Sequence, residues 1–198
     1  MGGDFTTNLK KSSNIAVIAN TEYGAESLCA SVALSEMIYK FLEKESDYLV
    51  SIYYLDTLPI GINNLAKKIK IYNKIGEKTL YVSFKANGVE KITYNLVEET
   101  NNFEIGLVGY TGKKNVKDIL NTRVEEENIE MVVGVGFDSE EDLEKKVKYT
   151  KKISKKFVFN KKNLNGDTLV DGALDLFLRE KVKPSKLASL AFSTYYSL

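Results

Sequence analysis

Asp138, Glu140, Glu141 and Asp142 form the densest group of oxygen donors in the sequence, and they follow directly on an apolar run, Ile129 to Val135. Carboxylates at the end of a buried strand suit a divalent cation such as Mg²⁺, held partly through water. They suit equally the first turn of a helix, where they complement the positive end of the backbone dipole, with Ser139 as the cap. No histidine accompanies them anywhere in the 198 residues. That removes Ser–His and Cys–His nucleophilic schemes. Cys29, the single cysteine, sits just inside a predicted helix start, where a thiolate can be stabilised, but its small apolar neighbours favour a buried structural thiol. Gly109-Tyr110-Thr111-Gly112-Lys113-Lys114 pairs glycine with lysine without the spacing of a phosphate loop, and reads more simply as a turn at a hairpin end. Gly134-Val135-Gly136 lacks the third glycine of a dinucleotide fingerprint and reads as close backbone packing. From Lys145 to Lys162 there are nine lysines and no acid. Lys145, Lys148, Lys152 and Lys155 fall on one helical stripe that could track a phosphate backbone, with Tyr149 available for stacking. The acidic block from Glu125 to Glu144 can neutralise the same lysines, which makes a solvated helix face the plainer reading.

The elements that would position these groups alternate. Ile15 to Ala19 is a buried strand and Asn20 to Ala25 a turn. Glu26 to Lys44 is a helix whose first turns are crowded with Ala25, Ser27, Cys29, Ala30, Ser31 and Ala33. Tyr48 to Leu55 is a second buried strand, and strand–helix–strand at this spacing is a parallel unit with a right-handed crossover. After a short amphipathic helix near Ile62 to Lys70 the rhythm changes. Lys78 to Phe84, Val89 to Leu96 and Phe103 to Tyr110 alternate as strands, with Asn87-Gly88 as a hairpin signal. They predict an antiparallel meander over about 78–110, inserted in an otherwise parallel pattern, and Asn115 to Leu120 predicts a short helical piece. Ile129 to Val135 resumes the parallel rhythm, followed by helices at Glu140 to Ile153, Leu169 to Lys181 and from Pro184 onward, with Phe157 to Phe159 as a short strand. The fold class is therefore α/β, a mostly parallel sheet with helices on both faces. Residues 1–13 lack an apolar signal core and are expected to be a disordered leader. A net charge of +1 gives no global field toward nucleic acid. A lone cysteine and the absence of a run long enough to span a membrane point to a cytoplasmic protein.

In their order along the chain, several landmarks resemble the DHH phosphoesterase superfamily. Ser31-Val32-Ala33-Leu34 resembles the helix after its first metal motif. Asp138-Ser139 resembles its middle aspartate motif. Phe157-Val158-Phe159-Asn160-Lys161-Lys162-Asn163 stands where that family has a strand leading into Asp-His-His, and Leu169 to Leu178 resembles the helix after it. Ala188-Ser189-Leu190-Ala191-Phe192 resembles the segment before the last family aspartate. The resemblance covers about 14–55 and 129–198, as a single domain over 14–198 without the family's second lobe.

That resemblance implies a two-metal hydrolase, and the matching positions have lost its ligands. The aspartates of the first motif fall on Ala25 and Ser27. Asp-His-His falls on Asn160, Lys161 and Lys162. The late aspartate falls near Leu198. Only Asp138 remains as a possible ligand, and two metal ions need more than one carboxylate. The expected function is accordingly a catalytically inactive DHH-like domain serving as a binding or assembly module, with a protein partner or a second copy and no cofactor. The alternatives are a metal-dependent phosphoesterase using Mn²⁺ or Mg²⁺ at an atypical site near Asp138, with Asp167 or Asp171, and a nucleic-acid-binding domain working through the lysine stripe.

Overall fold

Ile15 to Ala19 is apolar at every position, as a strand must be when helices cover both faces of its sheet. In a computed structural model describing residues 3–42, 49–84, 88–97, 102–111, 120–164 and 166–198, this run is the centre of a five-stranded parallel sheet. The chain divides into two units: one made of Met1–Glu77 with Glu127–Leu198, the other of Lys78–Glu126.

The first unit contains β1 (Asn14–Ala19), β2 (Leu49–Tyr54) and the two-residue β3 (Ile71–Tyr72), with β8 (Met131–Val135) and β9 (Lys155–Phe159). Their order across the sheet is β3-β2-β1-β8-β9, and every neighbouring pair is parallel. Side chains alternate between two cores. Ile15, Val17 and Ala19 join Met131, Val133 and Val135 on one face. Ala16 and Ile18 join Val132 and Tyr53 on the other. The first face is covered by α2 (Gly24–Leu42), α6 (Leu169–Arg179) and α7 (Lys186–Tyr196). Between the sheet and these later helices, α2 has no exposed side from Ser27 to Ser35. The small residues of its first turns are what that enclosure requires. The second face is covered more thinly, by Leu143 of α4 (Glu140–Lys146), by Val147 and Ile153, and by Phe137 and Tyr149.

Two expectations for this unit are corrected. The leader is not disordered from Gly3 on: Gly3–Lys10 is a helix, α1, with Phe5 and Leu9 buried. Phe5 meets Phe157 and Phe159 edge-to-face, at centroid distances of 5.0 and 5.3 Å. Those rings lie on the last strand of the sheet, so α1 covers an apolar surface that would otherwise face water. The helix expected over Glu140 to Ile153 ends at Lys146, and Lys148–Lys152 is a 3-10 turn. Continuing the helix would stack like charges at i, i+4, which disfavours it. Burial of Val147, Thr150 and Ile153 fixes the turn instead. Ser139 does cap α4, accepting a hydrogen bond from Asp142 N at 3.2 Å.

Burial also settles the character of Cys29. The thiol is fully buried, and desolvation pushes its pKa up to about 11. A thiol reagent such as DTNB should therefore leave the native protein unmodified at pH 8 and react stoichiometrically once it is unfolded in guanidinium. Rapid labelling of the native protein would contradict this packing.

The second unit is antiparallel, as expected of the insert, and differs from a meander in its strand pairing. β4 (Lys78–Phe84) pairs with β7 (Leu120–Glu126), and β5 (Lys91–Val97) with β6 (Asn102–Val108), both antiparallel. Two nested ribbons replace consecutive hairpins, and the inserted piece runs to Glu126 rather than to 110. The short helix expected at Asn115 to Leu120 lies almost wholly outside the described residues, and Leu120 opens β7. In β5–β6 the register places Ile92 opposite Leu107, Tyr94 opposite Ile105 and Leu96 opposite Phe103. Directly opposed residues share a face, so one face of this ribbon is wholly apolar at these six positions. Tyr94 and Phe103 stack diagonally across it, 6.4 Å between centroids. The other face carries Thr93, Asn95 and Glu104, with the Thr93 hydroxyl donating to Gly106 O at 3.4 Å.

Candidate functional site

In a parallel sheet, a crevice for ligands opens where the strand order reverses, beyond the carboxyl ends of the strands. Here that point lies between β1 and β8. Asn20 follows β1 directly and is buried there. Its backbone N–H donates to Val135 O at 2.9 Å, and its side-chain amide donates to Gly136 O at 2.8 Å. Its side-chain oxygen accepts from Glu22 N at 3.2 Å. Asn160 repeats the device on the other side of β8. Its amide reaches Asp138 O at 3.2 Å and Phe137 O at 3.4 Å, while its oxygen accepts from Asn163 N at 3.1 Å. Two neutral amides thus tie three strand ends together through backbone carbonyls. A carboxylate at either position would face those carbonyls without a proton to donate.

The remaining predicted residues are distributed around this staple. Ser27 is buried, and its hydroxyl donates to Asn20 O at 2.6 Å. Ala25 precedes it on the first turn of α2. Lys161, on the four-residue helix α5 (Lys161–Leu164), sets its ammonium 3.2 Å from Glu26 Oε1 and 5.4 Å from the centroid of the Tyr23 ring. The same Glu26 oxygen accepts from Leu169 N at 2.7 Å, so this carboxylate holds both a lysine and the start of α6. Lys162 is exposed. Asp138 is exposed, and its backbone N–H donates to Asp142 Oδ2 at 3.2 Å.

A cleft of about 230 Å³ adjoins the switch point, lined by Asn20, Glu22, Leu55, Phe137 and Lys146 among others. Lys146 Nζ lies 2.6 Å from Glu22 Oε2 and 3.4 Å from Asp142 Oδ1, and the Glu22 hydrogen bond raises the lysine pKa. A second, open groove is lined by Lys161, Lys162, Gly166, Asp167, Asp171 and Asp175. Asp171 is engaged there: Thr168 Oγ1 donates to it at 2.8 Å, and so does the Tyr196 hydroxyl. The Tyr196 bond, then that of Thr168, holds the Asp171 carboxyl below the usual range. In return the Tyr196 phenol is pushed up to about 12.

Among the described residues, no three carboxylate, thiol or imidazole groups come together as a metal site. The residues at the strand ends do not fit a two-ion centre: amides already donating to carbonyls, a hydroxyl, a methyl group, a lysine paired with Glu26, and one exposed carboxylate. The lysine stripe does not assemble either. Lys145 lies in the last turn of α4, Lys148 and Lys152 bound the 3-10 turn, and Lys155 lies in β9. Lys152 rests on the Tyr149 ring at 4.0 Å, and Lys155 donates to Lys11 O and Ser12 Oγ at 2.9 and 3.0 Å. Lys156 pairs with Glu144 at 2.9 Å, an instance of the neutralisation that the acidic block offers. Sequence reasoning named Asn160 as a lost ligand and gave Asn20 only as part of a turn. The useful signal was an asparagine directly after an all-apolar strand. Among the described residues no helix is long and apolar enough to cross a membrane.

No protein-family model, no curated protein and no solved structure matches the chain.

Proposed function

We propose that this chain is a non-catalytic α/β domain, DHH-like in its order of elements, that works as a binding or assembly module. One observation carries the reading. Where metal-dependent phosphoester hydrolysis needs carboxylates and imidazoles converging beyond the strand ends, this chain has Asn20 and Asn160 donating to backbone carbonyls and Lys161 paired with Glu26. The Lys161 ammonium, 3.2 Å from the Glu26 carboxylate, repels a divalent cation there.

Incubation with Mn²⁺ or Mg²⁺ and short oligonucleotides, dinucleotides or pyrophosphate tests the proposal. No release of nucleotide or phosphate above buffer is expected, and Asp138→Ala should match the unaltered protein. Metal-dependent turnover that disappears in Asp138→Ala would sink it and favour the atypical hydrolase.

A further inference from the structure

We propose that the apolar face of the β5–β6 ribbon is the surface through which two copies of this chain pair, resting on the reading of the chain as a binding or assembly module. Tyr94 is 77% exposed and Phe103 63%, and Ile92, Leu96 and Ile105 are exposed beside them. A two-stranded ribbon is marginal in water unless its apolar face is covered. Here the face is continuous, with no charged residue at its six positions.

Three features select a second copy as the cover. The first is area. The open parts of these side chains amount to roughly 600 Å² on each copy and about 1,200 Å² for a pair, which reaches the size range of stable interfaces. The second is symmetry. A two-fold pairing apposes the same patch on both partners, and an uncharged face is complementary to itself. The third is charge along the ribbon. Glu104 lies toward the link between β5 and β6, and Lys91 opens β5 at the opposite end. Laid antiparallel, two ribbons bring the Glu104 of each toward the Lys91 of the other. Glu98 and Glu99, which fall between the two strands in the sequence, also disfavour an anionic lipid surface as the occupant.

Sedimentation equilibrium on the full chain tests the pairing. A monomer–dimer equilibrium is expected at micromolar concentration. Tyr94→Lys and Phe103→Lys should each weaken it at least ~10-fold, as central aromatic anchors do. Asn95→Lys, on the opposite face, should leave it within about twofold and serves as the folded control, with circular dichroism showing unchanged helix content in all three. A strict monomer at about 100 μM would overturn the proposal. So would a dimer indifferent to Tyr94→Lys and Phe103→Lys, or a monomer that instead co-sediments with phosphatidylcholine–phosphatidylserine vesicles. A monomer would remove the second copy as occupant and leave the non-catalytic reading standing. That reading is decided separately by the turnover assay.

Discussion

Asn20→Asp is expected to lower the melting temperature by about 6–12 °C, on the basis of a loss of about 3 kcal/mol in a domain of this size. The native amide donates to Gly136 O at 2.8 Å from a site that is 3% exposed. The substitution is nearly isosteric, so packing is preserved and the change is electrostatic. It removes the donor, leaves a buried carbonyl without its partner, and sets an anionic oxygen against that carbonyl. An unsatisfied buried group costs about 1–3 kcal/mol, and more when charge is involved. Asn20→Ala, which loses the bond without adding charge, should cost about half as much. The sign with pH follows. Burial beside a carbonyl raises the pKa of the new carboxyl in the folded state, so the deficit relative to the unaltered protein should shrink as pH falls and the acid takes up a proton it can donate. Thermal denaturation by circular dichroism at pH 5 and pH 8 measures both effects. A melting temperature within 2 °C (roughly 1 kcal/mol or less) of the unaltered protein at pH 8 would show that the amide is not the staple described.

Gly136→Val is expected to be at least as damaging, with a loss of about 4 kcal/mol and failure to accumulate as soluble protein at 37 °C a realistic outcome. Gly136 sits at φ +84°, a conformation that a β-branched residue adopts only under strain. An added Cβ would lie 3.0 Å from Leu169 Cδ1, 3.2 Å from Tyr23 Cδ2 and 3.4 Å from Asn20 Cβ. Leu169 is fully buried in the main core and cannot yield without disturbing the start of α6. Gly24 supplies the comparison. It also has positive φ, +52°, yet nothing lies within 4 Å of a Cβ there, so Gly24→Ala isolates backbone strain, on the order of 1–3 kcal/mol. Urea denaturation of the two variants separates steric from conformational cost. Equal midpoints would refute the crowding at Gly136.

The parallel sheet was legible because its determinants are local. Ile15 to Ala19 and Ile129 to Val135 are apolar throughout, and the helix between β1 and β2 carries its own periodicity. The sequence-level error at Lys148 arose because a lysine-rich segment keeps a helical pattern on paper while three buried side chains hold it in another shape. The ribbon pairing was not legible for a different reason. Alternation marks strands but not partners, and Asn87-Gly88 suggested a hairpin where β4 instead joins β7, far along the chain. The helix at Gly3–Lys10 was missed because the polar residues between Phe5 and Leu9 conceal two contacts that only the folded edge of the sheet supplies. At the candidate site, the loss of ligands was visible as residue types: Ala25, Ser27, Asn160, Lys161 and Lys162. What the amides do there was not, since donation to a carbonyl across the sheet depends on strand order.

Glu77 O accepts a hydrogen bond from Glu127 N at 3.2 Å. Glu127 is further held by Gly76 N at 2.9 Å, by the Tyr53 hydroxyl, and through its carbonyl by Tyr149 Oη at 2.6 Å. The two places where the main chain departs for the ribbons and comes back are thus neighbours, knotted to the sheet by their own contacts. Because loop closure depends only weakly on length, the 49 residues from Lys78 to Glu126 can be shortened, exchanged or excised as a cassette without re-threading a single parallel strand. Sequence change within the ribbons therefore leaves the wiring of the parallel sheet intact.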